Sequence, residues 1–172
     1  PELGRSYPAN ANWQLWALAK AGEIGSVLED FRARWSRMAS VRESNSLQEA
    51  WNARPDSNSQ WSHCPVAPLF VAYQDLAGIR PLEPGFGRCV IRPQLGDIES
   101  LSLDYHTKRG KIVFESQGLK GSRTVRIALP EGVVGELLVP AAERLPLVAK
   151  EIRGGLARFE IIGENVYAFS EV

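Results

Sequence analysis

The spacing of apolar residues changes from a helical to a strand-like period near residue 80. Before that point, apolar side chains recur at intervals of three and four residues, as they do on one face of an α-helix. From residue 88 onward they alternate with polar ones, as in Leu101, Leu103 and Tyr105, which is typical of strands with one buried face. A chain with such a change is predicted to have two domains, and we place them at residues 1–80 and 81–172.

The first domain is predicted to contain three helices, over residues 10–21, 26–39 and 63–77. Gly22 follows the first helix at the position where glycine commonly ends one. Ser26 and Glu29 have the spacing of a capping box at the start of the second. The polar residues 40–62 between the second and third helices contain one weaker helical segment, residues 47–52. Three helices bury only part of their Trp and Leu stripes, which predicts a larger helical domain whose earlier helices precede this chain.

The second domain is predicted to be an antiparallel β-sandwich of about eight short strands. Residues 79–86, with two prolines and a glycine, are interpreted as a linker. Residues 101–105 and 112–114 are predicted to pair as a hairpin around the turn at 108–110. The other predicted strands are residues 89–91, 125–129, 136–139, 145–149, 157–162 and 166–169.

The charge and motif content exclude several classes of function. Twenty basic and twenty acidic residues cancel, so no electrostatic signature for nucleic acid or an anionic membrane is present. No apolar run approaches the roughly 18 residues of a membrane span. Cys64 and Cys89 have no metal-binding spacing and are predicted to be buried thiols, with a disulfide between them left open. The sequence has no phosphate-binding loop or metalloprotease motif, so no cofactor and no metal are expected.

The residues that best fit catalysis lie between positions 44 and 63, where Glu49, Trp51, Trp61 and His63 occur together with polar side chains. Indole rings stack on the C–H faces of sugars, and amide side chains bind sugar hydroxyls. From spacing alone each residue also has a structural interpretation. Glu49 fits a solvated helix face, His63 fits a helix cap, and the two tryptophans fit a core.

Four stretches in order resemble the C-terminal third of bacterial α-L-rhamnosidases, which are inverting glycoside hydrolases with an (α/α)6 barrel. They are ANWQLWALAKAGEIGSVLEDFRARWSRM, SNSLQEAW, SHCPVAPLFVAYQDLAGIRPLEPGFGRCVIRP and the β-rich tail. The run GIRPLEPGFGRCVIRP is the most specific of these. The resemblance implies partial (α/α)6-barrel helices over residues 1–80 followed by an antiparallel β-sandwich over residues 81–172.

The same resemblance implies roles for individual residues. Glu49 matches the general base, His63 matches the histidine that lines the sugar subsite, and Trp51 matches the aromatic that follows the glutamate. Trp61 is a further candidate for substrate binding on its residue type and position alone. Gln48 stands where the family often has Trp, which implies a locally different subsite. The family's general acid lies on a motif further upstream that has no counterpart here.

The resemblance therefore implies that a longer parent enzyme hydrolyses terminal α-L-rhamnosides, and that this chain alone is inactive. The implied partners are a rhamnose-containing glycoside and the N-terminal part of the parent, with the compartment left open. Two alternatives are a carbohydrate-binding or structural β-sandwich module, and a non-catalytic relative. Oligosaccharide binding by residues 88–172 would favour the first, and an upstream sequence without the acid motif would favour the second.

Overall fold

The computed structural model describes residues 6–54, 57–59, 63–145 and 149–171. The chain divides into two compact units, Pro1–Ala72 and Tyr73–Val172. The first is helical and the second is built from strands. The division falls inside the predicted third helix.

The helical unit is organised around a hairpin of two helices. Its described helices are α1 (Pro8–Ala21), α2 (Ile24–Ala33), α3 (Ala39–Ser44) and α4 (Ala67–Val71). Gly22 ends α1 in the left-handed conformation, with a φ of 86°, as predicted. Only Gly22 and Glu23 separate α1 from α2. The buried side chains of this unit include Leu15, Val27, Leu28, Trp35, Met38 and Val71.

The second helix was predicted over residues 26–39, and both ends of this prediction are wrong, because α2 spans Ile24–Ala33. Glu23 occupies the N-cap position of α2, and no side-chain capping bond is formed. Ser26 therefore lies inside the first turn rather than ahead of it, so the predicted capping box does not exist. A 3-10 turn, Trp35–Arg37, follows α2 and leads into α3.

The third predicted helix is much shorter than residues 63–77. Pro65 and Pro68 lack the backbone N–H that a helix requires, and a proline also disfavours helical backbone in the residue before it. Regular helix therefore spans only Ala67–Val71, with Pro68 in its first turn. A π-helical turn, Ala72–Leu76, follows it.

The strands of the second unit form two five-stranded sheets among the described residues, which confirms the predicted β-sandwich. They are β1 (Ile79–Pro81), β2 (Arg88–Ile91), β3 (Ser100–Thr107), β4 (Gly110–Gln117), β5 (Ser122–Ala128), β6 (Val134–Pro140), β7 (Glu143–Arg144), β8 (Glu151–Arg153), β9 (Leu156–Ile162) and β10 (Glu164–Glu171). The strand orders are β1-β2-β6-β9-β8 and β3-β4-β5-β10-β7. Most neighbours are antiparallel, but β2 and β6 run parallel.

Alternating side chains of the two sheets supply the core of this unit. The predicted hairpin is confirmed, since Leu103 pairs with Phe114 and Tyr105 with Ile112 across β3 and β4. The buried apolar residues on the strands are Ile79, Cys89, Ile91, Ile112, Phe114, Val125, Ile127, Leu137, Val139, Ala157, Phe159, Ile161, Tyr167 and Phe169. The predicted strand over residues 145–149 falls largely on residues 146–148, which lie outside the described residues.

The predicted linker over residues 79–86 begins with a strand. Ile79–Pro81 pairs with β2, and Ile79 is fully buried. Because β1 is at the edge of its sheet, Pro81 can be accommodated there although it has no N–H to donate. The segment therefore belongs to the sandwich rather than merely leading to it.

The backbone at Gly78, just before β1, lies close to the backbone of Arg92. Gly78 has a φ of 73°, and its carbonyl oxygen accepts a hydrogen bond of 3.1 Å from the N–H of Arg92. A Cβ atom at this position would lie 1.9 Å from the carbonyl oxygen of Arg92. Leu76 accepts a second bond, of 2.9 Å, from the N–H of Gln94. The start of the sandwich therefore depends on a residue without a side chain.

Two buried ionisable groups predict a loss of stability at high pH. Burial raises the pKa of the Cys89 thiol to about 11, with a smaller contribution from the charge of Glu136. Burial also raises the pKa of Tyr167 to about 12. Since both groups ionise more easily in the unfolded chain, the free energy of unfolding should fall as pH rises from about 9 to about 12. The full loss is about 2–3 kcal/mol for each group.

Urea unfolding at pH 8, 9, 10 and 11 measures this effect, and Tyr167→Phe provides the control because phenylalanine does not titrate. The variant should lose less stability than the wild type between pH 10 and 11. Equal losses in both proteins would show that Tyr167 does not contribute.

Candidate active-site loop

Glu49 lies on an irregular loop, residues 45–54, which we call the Glu49 loop. Asn45 ends α3 in the left-handed conformation, with a φ of 50°. The weak helix predicted over residues 47–52 is wrong, because these residues form bends and turns. The Glu49 side chain is exposed, and its backbone N–H donates a 2.9 Å hydrogen bond to the carbonyl oxygen of Ser59.

Gln48 fixes the Glu49 loop from inside the helical unit. Its side chain is only 1% exposed. The oxygen Oε1 accepts a hydrogen bond from the N–H of Ser40 at 3.0 Å. The nitrogen Nε2 donates to the carbonyl oxygens of Ala50 at 2.8 Å and Trp51 at 3.0 Å. A polar side chain thus takes the place of regular secondary structure in holding this backbone.

Trp51 belongs to a cluster of aromatic and charged side chains. Its ring packs edge-on against Trp35 with 5.2 Å between centroids, and the guanidinium of Arg34 lies 4.7 Å from its ring centre. The indole nitrogen donates to the carbonyl oxygen of Ser6 at 2.7 Å. Asp30 accepts hydrogen bonds from Arg34 and from the indole nitrogen of Trp35. These contacts give Trp51 a structural role, and its predicted contact with substrate stays a prediction.

His63 is exposed and lies on the segment that leads into α4. Asn12 holds this segment against α1. Its Nδ2 donates to the carbonyl oxygen of Cys64, and its Oδ1 accepts a 2.9 Å bond from the N–H of Ala67. The amide therefore fixes the backbone on the C-terminal side of His63 by two hydrogen bonds.

The remaining predictions for this region have mixed outcomes. Trp61 lies outside the described residues. The prediction of two buried thiols is half wrong, because Cys89 is buried but Cys64 is exposed. No disulfide joins Cys64 and Cys89. In the described part of the chain, no group of three His, Cys, Asp or Glu side chains is arranged to hold a metal ion. No helix of that part is long and apolar enough to cross a membrane.

Sequence reasoning missed the positioning role of two amides, Asn12 and Gln48. Asn12 had a signal, because it lies on the apolar face of α1 together with Leu15 and Ala19 at helical spacing. A polar residue on such a face is expected to have a buried partner. Gln48 had no such signal, since its loop has no period.

Comparison with known proteins finds a family match within the strand-rich unit. Residues 78–152 match the model of the bacterial α-L-rhamnosidase C-terminal domain. This region is similar to a rhamnosidase C-terminal domain. The resemblance inferred from GIRPLEPGFGRCVIRP is confirmed there, whereas Glu49 and His63 lie outside the matched residues. A comparison with curated proteins finds no match.

Three solved α-L-rhamnosidases are similar in fold to this chain. The Streptomyces avermitilis enzyme complexed with L-rhamnose is 22% identical over 71% of the chain, with a TM-score of 0.55. The Dictyoglumus thermophilum enzyme is 21% identical over 72%, with a TM-score of 0.54. The native enzyme from Aspergillus terreus is 17% identical over 88%, with a TM-score of 0.61.

The likeness to these enzymes covers a small part of each of them. The chain spans 13%, 16% and 18% of their respective lengths. A coverage of 88% is larger than the share of the chain that Tyr73–Val172 makes up. The fold shared with the Aspergillus terreus enzyme therefore includes part of the helical unit as well as the strand-rich unit.

Proposed function

We propose that this chain is the C-terminal part of an inverting α-L-rhamnosidase, with Glu49 as the general base. The observation that carries the proposal is the match of residues 78–152 to the rhamnosidase C-terminal domain. The Glu49 loop precedes that domain in the order that the family resemblance requires. Its carboxylate is exposed while its backbone is held by hydrogen bonds, which suits a base that must reach a substrate in a fixed direction.

In this mechanism the Glu49 carboxylate accepts a proton from a water molecule as the water attacks the anomeric carbon. The second carboxyl group, which comes from elsewhere in the parent enzyme, donates a proton to the leaving oxygen. Inverting enzymes keep the two groups roughly 6.5–9.5 Å apart so that the water fits between base and sugar. His63, Trp51 and Trp61 are proposed to line the sugar subsite.

The helical unit is proposed to form the last helices of an (α/α)6 barrel that continues beyond it. Trp13 and Trp16 support this, since they are 69% and 38% exposed on α1 with ring centroids 6.0 Å apart. Two exposed indoles side by side are unusual on a solvent-facing helix. Neighbouring barrel helices would cover them. We propose residues 1–80 for this part and 81–172 for the sandwich.

The sandwich itself is proposed to be a structural support rather than a sugar-binding module. Phe114, Phe159, Tyr167 and Phe169 point into its core. Tyr105 packs against Phe86 and Tyr73, with centroid distances of 5.1 and 5.3 Å. An exposed aromatic platform, which sugar-binding sandwiches use, is therefore missing among the described strands.

An assay of the parent enzyme and of this chain alone on an aryl α-L-rhamnoside tests the proposal. The parent is expected to hydrolyse it and to release β-L-rhamnose first, as NMR of the early product would show, because inversion changes the anomeric configuration. An aryl β-D-glucoside is the control substrate. Activity of the isolated chain, or α-L-rhamnose as first product, would contradict the proposal.

A further inference from the structure

The side chain of Gln48 is almost completely buried, whereas the adjacent Glu49 side chain is exposed. Burial of an uncharged amide costs free energy unless each of its polar atoms finds a partner. Gln48 meets this condition with three hydrogen bonds of 2.8–3.0 Å, all to backbone atoms. Gln48, which precedes the candidate base, is therefore part of the buried interior of the helical unit.

The partners of Gln48 connect the Glu49 loop to the start of α3. Ser40 is the second residue of α3, so its N–H belongs to the first turn and lacks a partner within the helix. Gln48 Oε1 accepts from this N–H. Its Nε2 donates to the two carbonyl groups that directly follow Glu49, those of Ala50 and Trp51. One side chain thus ties the loop to a helix end.

The contacts also explain why the side chain is glutamine. They require one acceptor and two donors on the same group, which an amide supplies. Glutamate at position 48 would keep the acceptor but lose both donors, and leucine would lose all three. Glu49 is held from its own side as well, through the bond from its N–H to Ser59. The backbone of Glu49 is thus fixed both at its N–H and through the residues that follow it.

We infer that Gln48 is a positioning residue for Glu49, setting the direction in which the carboxylate reaches the attacking water. The inference rests on the proposed function, in which Glu49 is the base. A base that must hold a water against the anomeric carbon depends on its placement, and an error of about 1 Å can cost roughly 100-fold in rate. Gln48 acts through Glu49 and does not touch the sugar.

A double-mutant cycle in the parent enzyme tests this role. Gln48→Leu is expected to lower kcat on an aryl α-L-rhamnoside by about 10- to 100-fold, with KM nearly unchanged. In a Glu49→Gln background the same change is expected to lower the residual kcat by less than about twofold, because the interaction it supports is already gone. Val27→Ala, which shortens a fully buried side chain of α2, is the control for lost stability and should keep its kcat.

The outcomes separate this inference from the proposed function. An undiminished rate in Glu49→Gln alone would overturn the assignment of the base. If Glu49→Gln is slow and Gln48→Leu still lowers its kcat by about 10- to 100-fold, the positioning role is overturned. The assignment of Glu49 as the base then stands. An undiminished kcat in Gln48→Leu would also overturn the positioning role.

Hydrogen exchange in the 172-residue chain gives a second measurement if Gln48→Leu does not fold. In Gln48→Glu, the amide of Glu49 is expected to exchange at least about tenfold faster than in the wild type, because the loop is released. The amides inside α1 should exchange at unchanged rates. Unchanged exchange at Glu49 would show that Gln48 does not hold this backbone.

Discussion

Replacing Glu49 by glutamine in the parent enzyme is expected to lower kcat on an aryl α-L-rhamnoside by about 10²- to 10⁴-fold. Glutamine has nearly the same shape but does not accept a proton from water, and general bases typically contribute a factor of this size. KM should change little, since the amide preserves the volume of the side chain. The measurement is steady-state hydrolysis at saturating and subsaturating substrate.

Glu43→Gln is the matched control, because Glu43 is an exposed glutamate in α3 close to Glu49 in sequence. It should retain the wild-type rate.

Glu49→Gly adds a positive test, since the missing carboxylate leaves room for azide. The azide would attack the anomeric carbon from the same face as the water does in the wild type. Azide should then restore turnover and give β-L-rhamnosyl azide. A Glu49→Gln enzyme as fast as the wild type would rule out the proposed base.

Gly78→Ala is expected to destabilise the strand-rich unit by roughly 3 kcal/mol or more. The new Cβ would lie 1.9 Å from the carbonyl oxygen of Arg92, so the backbone must move. The φ of 73° is also unfavourable for any residue with a Cβ. A cost of this size is at the upper end for single substitutions and requires a specific steric cause. Urea unfolding followed by circular dichroism in the strand region measures it.

Gly85→Ala separates the cost of the steric clash from the cost of the positive φ. Gly85 has a φ of 70°, but nothing lies within 4 Å of its added Cβ. Its substitution should therefore cost only the backbone term, about 1–2 kcal/mol. All five tryptophans lie in the first 61 residues, so indole fluorescence reports on the helical unit independently. If Gly78→Ala and Gly85→Ala lower the free energy of unfolding equally, the close contact with Arg92 does not contribute to the loss of stability.

Local patterns predicted the elements whose signals lie within a few residues of one another. The left-handed Gly22 and the pairing of β3 with β4 were both predicted, since a turn residue and a two-residue alternation suffice for them. The edge strand at Ile79–Pro81 was missed, because the two prolines of residues 79–86 are typical of a linker. Its pairing with β2 makes it a strand, and that pairing leaves no signal in the sequence. The length of α4 was overestimated because Pro65 and Pro68 outweigh the apolar spacing around them.

The candidate site was predicted less well than the fold. Glu49 was predicted to be the general base through the family resemblance, and this role stays a prediction; its side chain is exposed. The loop conformation around it depends on Gln48 and Ser59, which contact it through hydrogen bonds that no sequence period reveals. Trp51 illustrates the same limit, since its contacts with Arg34 and Trp35 exist only once the helices have packed. The barrel, the general acid and the roles of His63 and Trp61 stay predictions.

The parallel pairing of β2 with β6 sets an order in which the sandwich can fold. Val90 of β2 pairs with Glu136 of β6, and the chain between them includes all of β3, β4 and β5. The three intervening strands pair with their neighbours in sequence, so they close only short loops. Contacts between distant residues form slowly, because the entropy of the long loop is lost before the contact is gained. During synthesis, β2 can pair with β1 early, but its other edge has no partner until β6 has left the ribosome.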